Sequence, residues 1–154
     1  MASTIVVCMH FIVGEHGDSE VAVFSSANVS GIPLEQIYKL RGYEEYESHT
    51  KRIYEEVKNS AYEIIERKQA TYYGIAMAIK RICECIVRDE HSVLPVSSLM
   101  HGQYGISDIV LSMPAVVDAG GVEQILPVSL DEEERARLHA SAKALRDVIA
   151  DIEL

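Results

Sequence analysis

The 154-residue sequence contains no tryptophan and has no lysine before Lys39. Without a basic segment ahead of an apolar one, its N-terminus lacks the pattern of a secretory signal peptide. The apolar runs at 5–9 and 12–13 fall far short of the roughly 20 residues that a membrane-spanning helix needs. We therefore expect neither a signal peptide nor a membrane segment.

Cysteines are few and odd in number: Cys8, Cys83 and Cys85. The last two fall in a predicted helix, where side chains two residues apart point to different faces. A disulfide framework is therefore not expected, and these two thiols cannot share a tetrahedral metal ion. The cysteine content predicts a reduced, cytoplasmic protein without a cysteine-based metal site.

Basic residues are also in the minority, with 14 Lys and Arg against 24 Asp and Glu and a net charge of −10. This charge repels nucleic-acid phosphates and anionic lipid head groups, so we expect neither as a partner. The hydrophobic content of 48% is sufficient for a core. Because no linker or internal repeat interrupts the chain, the sequence predicts a single domain over residues 1–154.

The first third of the chain has the composition of strands and loops. Residues 4–13 are apolar and rich in β-branched side chains, which predicts a strand. After the polar segment 14–19, the extended pattern resumes over 21–24. Residues 25–33 contain Ser, Asn, Gly and Pro, and this composition predicts a loop or a short irregular helix.

Three later segments have helical periodicity. Apolar residues recur every three or four positions from about 44 to 70, while the segment 71–88 is apolar around most of its circumference. We expect the second of these helices to be buried in the core or at a subunit interface. A capping-box pattern, Ser129 with Glu132, predicts the start of the last helix.

Between the second and third helices the periodicity is that of strands. Residues 93–100 and 109–117 alternate in polarity, and the turn residues 118–121 precede a third strand over 122–128. Strands and helices therefore occur in blocks. This order predicts an α+β fold with antiparallel strands and about three main helices.

The loop around His16 carries the clearest chemistry. The imidazole lies between Glu15 and Asp18 and close to two glycines, Gly14 and Gly17, that allow close backbone approach. Histidine is the usual proton-transfer group near neutral pH. Spacing alone leaves two interpretations open, a solvated turn or a site of acid–base chemistry. The neighbouring His and acidic residues have no standard metal-ligand spacing, so we expect no metal site.

The segment Gly14–Glu20 resembles the active-site loop of the NAD-dependent L-lactate dehydrogenases. Further blocks of the family follow in order and spacing, so that residues 10–154 resemble the C-terminal half of these enzymes. Glu15 is typical of lactate rather than malate dehydrogenases. The further blocks are Ser26–Pro33, Ala70–Met77, Gly102–Gly105, Met113–Val117 and Gly120–Val122.

The resemblance implies a role for three residues. His16 matches the catalytic acid/base, Thr71 a residue lining the substrate pocket, and Ile75 the apolar side chain packed against the nicotinamide of NAD. The implied substrates are small 2-oxo and 2-hydroxy acids. An alternative interpretation stays open for two of them: Thr71 as a helix N-terminal residue, and Ile75 as a core residue.

The chain also departs from the family pattern. It has no G-x-G-x-x-G motif, and none of the 15 residues before His16 is the Arg or Asp that the resemblance implies for binding the substrate carboxylate and orienting the histidine. Residues 1–9 are an atypical opening, and Gln69 occupies a position where Gly is usual. We therefore expect no Rossmann domain, no NAD binding and no activity of the chain alone.

Two classes of function remain open from the sequence. The chain is either a catalytic-histidine domain completed by a nucleotide-binding half in trans, or a non-catalytic assembly domain. In both cases the resemblance and the apolar 71–88 segment predict a homo-oligomer, a dimer or a tetramer.

Overall fold

A computed structural model describes the backbone of residues 8–152 and the side chains of residues 10–152. Within this range the chain forms two three-stranded sheets and four helices. In chain order the elements are β1 (Cys8–Val13), β2 (Val21–Val29), β3 (Ile32–Pro33), α1 (Leu34–Leu40), α2 (Tyr46–Lys68), α3 (Tyr73–Arg88), β4 (Ser92–His101), β5 (Ser107–Asp118), β6 (Gly121–Ile125) and α4 (Glu132–Ala150).

Both sheets are antiparallel, in the orders β1-β2-β3 and β4-β5-β6. A pair of backbone hydrogen bonds between Gly14 and Ser112 joins the end of β1 to the middle of β5. The core lies between the sheets and α4, and its buried side chains include Val13, Val23, Leu111, Met113 and Leu138. The predicted α+β architecture with antiparallel strands is confirmed.

The expectation of a loop or short helix over residues 25–33 is wrong. Strand β2 continues to Val29 and pairs with β1 on one side and with β3 on the other. Ser30 and Gly31 form the two-residue turn between β2 and β3, with φ of 53° and 84°. Such a turn requires positive φ at both positions. Strand pairing with partners distant in sequence therefore overrides the loop-like composition.

The helices α2 and α3 lie where the periodicity predicts them, within two or three residues at each end. The helix α1 is not predicted, because its seven residues are too few to show a helical period. Residues 4–7 of the predicted first strand lie outside the described residues. In the second sheet the third strand ends at Ile125, earlier than expected.

Gln69 ends α2 in the left-handed conformation, with φ of 63°, and its N–H donates to the carbonyl of Ile65 at 2.6 Å. Glycine is the residue that adopts this conformation without a steric cost. The replacement of the usual Gly therefore leaves a strained Gln in the turn that precedes Thr71.

The cap of α4 lies two residues beyond the expected one. Asp131, not Ser129, is the N-cap: its carboxylate accepts from the N–H of Glu134 at 2.7 Å, and Glu134 accepts from the N–H of Asp131 at 3.0 Å. Glu134 is buried and also accepts the N–H of Ser25 at 2.9 Å. This tertiary contact with β2 favours the start of the helix at Glu132.

Most of the apolar surface of α3 is exposed in this chain, although the sequence predicts burial. Only Cys85 is buried in this helix, whereas Ile75, Met77 and Ile79 are each more than half exposed. This surface matches the other possibility open from the sequence, a helix that meets another subunit. No helix among residues 8–152 is long and apolar enough to cross a membrane.

His91 precedes β4 and lies among carboxylates of the adjoining turns. Its Nδ1 is 3.1 Å from Glu123 and 3.9 Å from Asp118, and its Nε2 is 3.5 Å from Asp89. The hydrogen bond with Glu123, together with the charges of these carboxylates, raises the pKa of His91 above its ordinary value of about 6.5.

We predict that His91 makes stability depend on pH. A raised folded-state pKa adds stability that is fully present below about pH 6.5 and is lost as pH rises through the raised value. In urea unfolding, the free-energy difference between the wild type and His91→Asn should therefore be largest at pH 5.5 and shrink toward pH 8.5. The matched control is His139→Asn, at an exposed position of α4. A difference for His91→Asn that is the same at every pH would contradict the prediction.

Candidate active site

The loop between β1 and β2, residues 14–20, carries His16. Its first residue is held by the two hydrogen bonds between Gly14 and Ser112, at 3.0 and 2.7 Å. At its far end the N–H of Glu20 donates to the carbonyl of Gly17 at 3.1 Å, which closes a tight turn. Backbone bonds therefore hold both ends of the loop.

Helix α4 contacts the loop through one hydroxyl. Ser141 is fully buried, and its Oγ accepts the N–H of Glu15 at 2.8 Å. The same oxygen lies 3.1 Å from the Oγ of Ser19, which also donates to the carboxylate of Glu15. Glu15 and Ser19, on either side of His16 in the sequence, are thus both hydrogen-bonded to Ser141.

The close approach of α4 requires the glycine at position 14. Gly14 has φ of +98°, and a Cβ at this position would lie 2.8 Å from the Oγ of Ser141. Both the backbone conformation and the space exclude a side chain here. Gly14 therefore allows the contact between the loop and α4.

Two tyrosines of α2 contact the same loop from another direction. Tyr62 donates to the carboxylate of Asp18 at 2.7 Å, and Tyr54 donates to the carbonyl of Glu20 at 2.8 Å. The hydrogen bond to Asp18, reinforced by the charge of that carboxylate, raises the pKa of Tyr62 above its ordinary value. The loop is therefore bonded to α2 as well as to α4.

His16 itself is exposed, and within residues 8–152 its imidazole makes no hydrogen bond or ion pair with another group. The backbone before and after His16 is held by hydrogen bonds, at Glu15 to Ser141 and between Gly17 and Glu20, whereas the imidazole ring is accessible to solvent. Such an arrangement can exchange a proton with a bound molecule.

The other two candidate residues lie beyond the end of α2. Thr71 is exposed in the short connection between α2 and α3, and Ile75 is 55% exposed near the start of α3. Because Tyr62 and Thr71 lie on either side of the end of α2, this helix links the His16 loop to the connection. Among the described residues no hydrogen bond joins His16 to Thr71.

Two other features lie away from this loop. Asp89, His91 and Asp118 have ligand atoms within 4.8 Å of one another and could hold a metal ion, but two of the three are exposed and nothing else there points to a ligand. A broad groove runs between β2, α2 and α4, and no residue of the 14–20 loop lines it. Neither feature adds a group to the His16 loop.

Comparison with known proteins identifies the family to which this fold belongs. Residues 6–153 match the family described as the lactate/malate dehydrogenase, alpha/beta C-terminal domain. The chain belongs to this family. The resemblance of the His16 loop is thus part of a match that covers almost the whole sequence.

Relatives and solved structures agree with the family match. The chain is 47% identical over 144 residues to the L-lactate dehydrogenase of Acetivibrio thermocellus, and 45% identical over 142 residues to L-lactate dehydrogenase 1 of Clostridium acetobutylicum. These alignments cover 94% and 92% of this chain but only 45% of each relative. The chain therefore spans about half the length of the curated relatives it matches.

Among solved structures, the minor L-lactate dehydrogenase of Enterococcus mundtii in its ligand-bound form superposes with a TM-score of 0.88 at 41% identity. The lactate dehydrogenase MGS-M5, from a deep-sea metagenome library, superposes with a TM-score of 0.87 at 40% identity. This chain is covered to 96% and 94%, and each of those chains to 46%. The backbone is that of a lactate dehydrogenase C-terminal domain.

Sequence reasoning missed the residues that hold the loop, Ser141 and Tyr62. A signal for Ser141 is present, because it is a polar residue on the face of α4 formed by Leu138 and Ala142. For Tyr62 the sequence has no comparable signal, since its hydrogen bond to Asp18 joins residues 44 positions apart.

We predict that Gly14→Ala destabilises the chain by at least about 2 kcal/mol, because the left-handed backbone cost adds to a clash with Ser141. The matched control is Gly42→Ala, which also has positive φ but has no atom within 4 Å of the added Cβ. The control should cost only the backbone term, about 1 kcal/mol. Urea unfolding followed by far-UV circular dichroism measures both, and equal losses would contradict the prediction.

Proposed function

We propose that this chain is the substrate-binding and catalytic-histidine domain of an L-lactate dehydrogenase-like oxidoreductase that acts in the cytoplasm. The observation that carries the proposal is the His16 loop, where an accessible imidazole follows a backbone that is hydrogen-bonded to β5 and to α4. The family match over residues 6–153 supports the same function. The substrates are a small 2-oxo acid and the corresponding 2-hydroxy acid.

In this function His16 is the general acid and base. Its imidazolium donates a proton to the ketone oxygen as the 2-oxo acid is reduced, and its neutral imidazole removes the hydroxyl proton in the reverse direction. Thr71, exposed beyond the end of α2, lines the substrate pocket. The bonds from Ser141 and Tyr62 to the loop limit the positions that the imidazole can occupy.

NAD is the cofactor that the family implies, and the described residues fit only its nicotinamide end. Ile75 is an exposed apolar side chain that can pack against a flat ring. Within residues 8–152 both sheets are antiparallel, and no glycine-rich turn joins a parallel strand to a helix to hold a pyrophosphate. When bound, NAD supplies or accepts the hydride.

The proposal therefore requires a nucleotide-binding half in addition to the residues described here. The imidazole of His16 makes no hydrogen bond among the described residues, so the group that orients it comes from that half. The same half provides the cation that binds the substrate carboxylate. Alone, the chain is expected to bind no NAD and to turn over no substrate, because the reactants are not held together.

A second candidate function is assembly, and the exposed apolar surface of α3 favours it. Met77 and Ile79 are 63% and 53% exposed on this single helix. Apolar surface of this extent usually marks an interface. In this proposal the chain forms a dimer or a tetramer through α3 whether or not it is catalytic.

Catalysis in trans can be tested by mixing the chain with the separately expressed nucleotide-binding half of the Acetivibrio thermocellus L-lactate dehydrogenase. We expect NADH-dependent pyruvate reduction only in the mixture. Because general acid–base catalysis contributes about 10²–10⁴-fold, His16→Gln should reduce the rate by at least about 100-fold. The matched control His139→Gln, exposed on α4, should leave it unchanged. Turnover by the chain alone, or by the His16→Gln mixture at the wild-type rate, would refute the proposal.

Assembly can be tested by light scattering at micromolar protein concentration. The wild type should be at least a dimer, and Ile79→Glu should be a monomer with an unchanged circular dichroism spectrum, because a carboxylate buried at an apolar interface is costly. Val148→Glu changes a similarly exposed apolar residue on α4 and should leave the assembly intact. A monodisperse wild-type monomer would exclude assembly through α3.

A further inference from the structure

Ser141 is a polar residue in an apolar setting. It lies in the middle of α4 and is fully buried, next to the equally buried Leu138 and Ala142. An unpaired hydroxyl in such a place costs free energy, whereas Ala would fit the helix without that cost. The hydrogen bonds of this hydroxyl must therefore offset the free-energy cost of burying it.

Among residues 8–152, this hydroxyl is hydrogen-bonded only to the loop that carries His16. Its Oγ accepts the N–H of Glu15 at 2.8 Å and lies 3.1 Å from the Oγ of Ser19. The Oγ of Ser19 also donates to the carboxylate of Glu15, so the two hydroxyls and this carboxylate form one hydrogen-bonded cluster. Ser141 thus contacts the loop at two residues, Glu15 and Ser19.

The two residues that are hydrogen-bonded to Ser141 lie on either side of His16 in the sequence. Glu15 immediately precedes His16, and Ser19 follows it by three residues. Since Ser141 and the carboxylate of Glu15 join both positions, they close a ring of hydrogen bonds at the base of the loop. Gly14 lets α4 approach closely enough for this ring to form.

We infer that Ser141 is a positioning residue for His16, holding the loop so that the imidazole meets the substrate oxygen in a reactive orientation. The inference rests on the proposed acid/base role of His16. Ser141 touches neither substrate nor cofactor in this scheme; it acts through the backbone of Glu15 and the side chain of Ser19. A displacement of about 1 Å at a catalytic group can cost 100-fold in rate, so a single anchoring hydroxyl is sufficient to matter.

The first test measures the loop alone and needs no activity. In the full chain carrying Ser141→Ala, amide hydrogen exchange at Glu15 and through Ser19 should accelerate at least tenfold, while exchange in the core strand β2 follows global stability. The control Ala142→Gly destabilises the same buried stretch of α4 without removing a bond to the loop. If the loop exchanges no faster in Ser141→Ala than in Ala142→Gly at matched stability, Ser141 only fills space and the inference is wrong.

The second test uses the mixture with the nucleotide-binding half described above. Ser141→Ala should lower kcat for pyruvate reduction by about 10- to 100-fold with KM nearly unchanged, because orientation rather than binding is lost. An active wild-type mixture with an unaltered kcat in Ser141→Ala would overturn the positioning role. A wild-type mixture without activity would instead refute the proposed function, and the exchange experiment then decides separately whether Ser141 anchors the loop.

Discussion

Two backbone hydrogen bonds between Gly14 and Ser112 connect the two halves of this structure. They join the end of β1 to the middle of β5, so the first sheet is attached to the second at the residue where the His16 loop begins. Hydrogen bonds between backbone groups do not depend on particular side chains, but a side chain must not block the approach of the two segments. The glycine at position 14, with its positive φ and its contact with Ser141, meets that requirement.

Helix α4 stabilises this connection from one side by burying polar groups that are fully paired. Glu134 is buried at its N-terminus and accepts hydrogen bonds from Ser25 and Asp131. Ser141 is buried about two turns later and is hydrogen-bonded to the loop between β1 and β2. Because unpaired polar groups would destabilise the interior, these contacts favour one placement of α4 over others that equally bury Leu138.

The α2–α3 segment, in contrast to α4, contacts the rest of the domain mainly at the surface. Its contacts with the loop are tyrosine hydroxyls at the surface, from Tyr54 and Tyr62, whereas much of its apolar surface remains exposed. Thr71, which by resemblance matches a substrate-pocket residue, and Ile75, which matches the residue packed against the nicotinamide, both lie on this segment. The segment therefore combines the proposed site with the proposed interface.

The sequence by itself determined the α+β class, the extents of α2 and α3, the two longer strands of the second sheet and the candidate residue His16, because periodicity and loop motifs are local properties of the chain. Only the tertiary structure decided that residues 25–33 extend β2 and form β3, that Asp131 caps α4, and that Ser141 holds the loop. These features depend on partners distant in sequence, such as Glu15 and Ser141, which are 126 positions apart. A hydrogen bond between such residues leaves no period in the sequence, since its geometry exists only after the sheets and α4 have packed together.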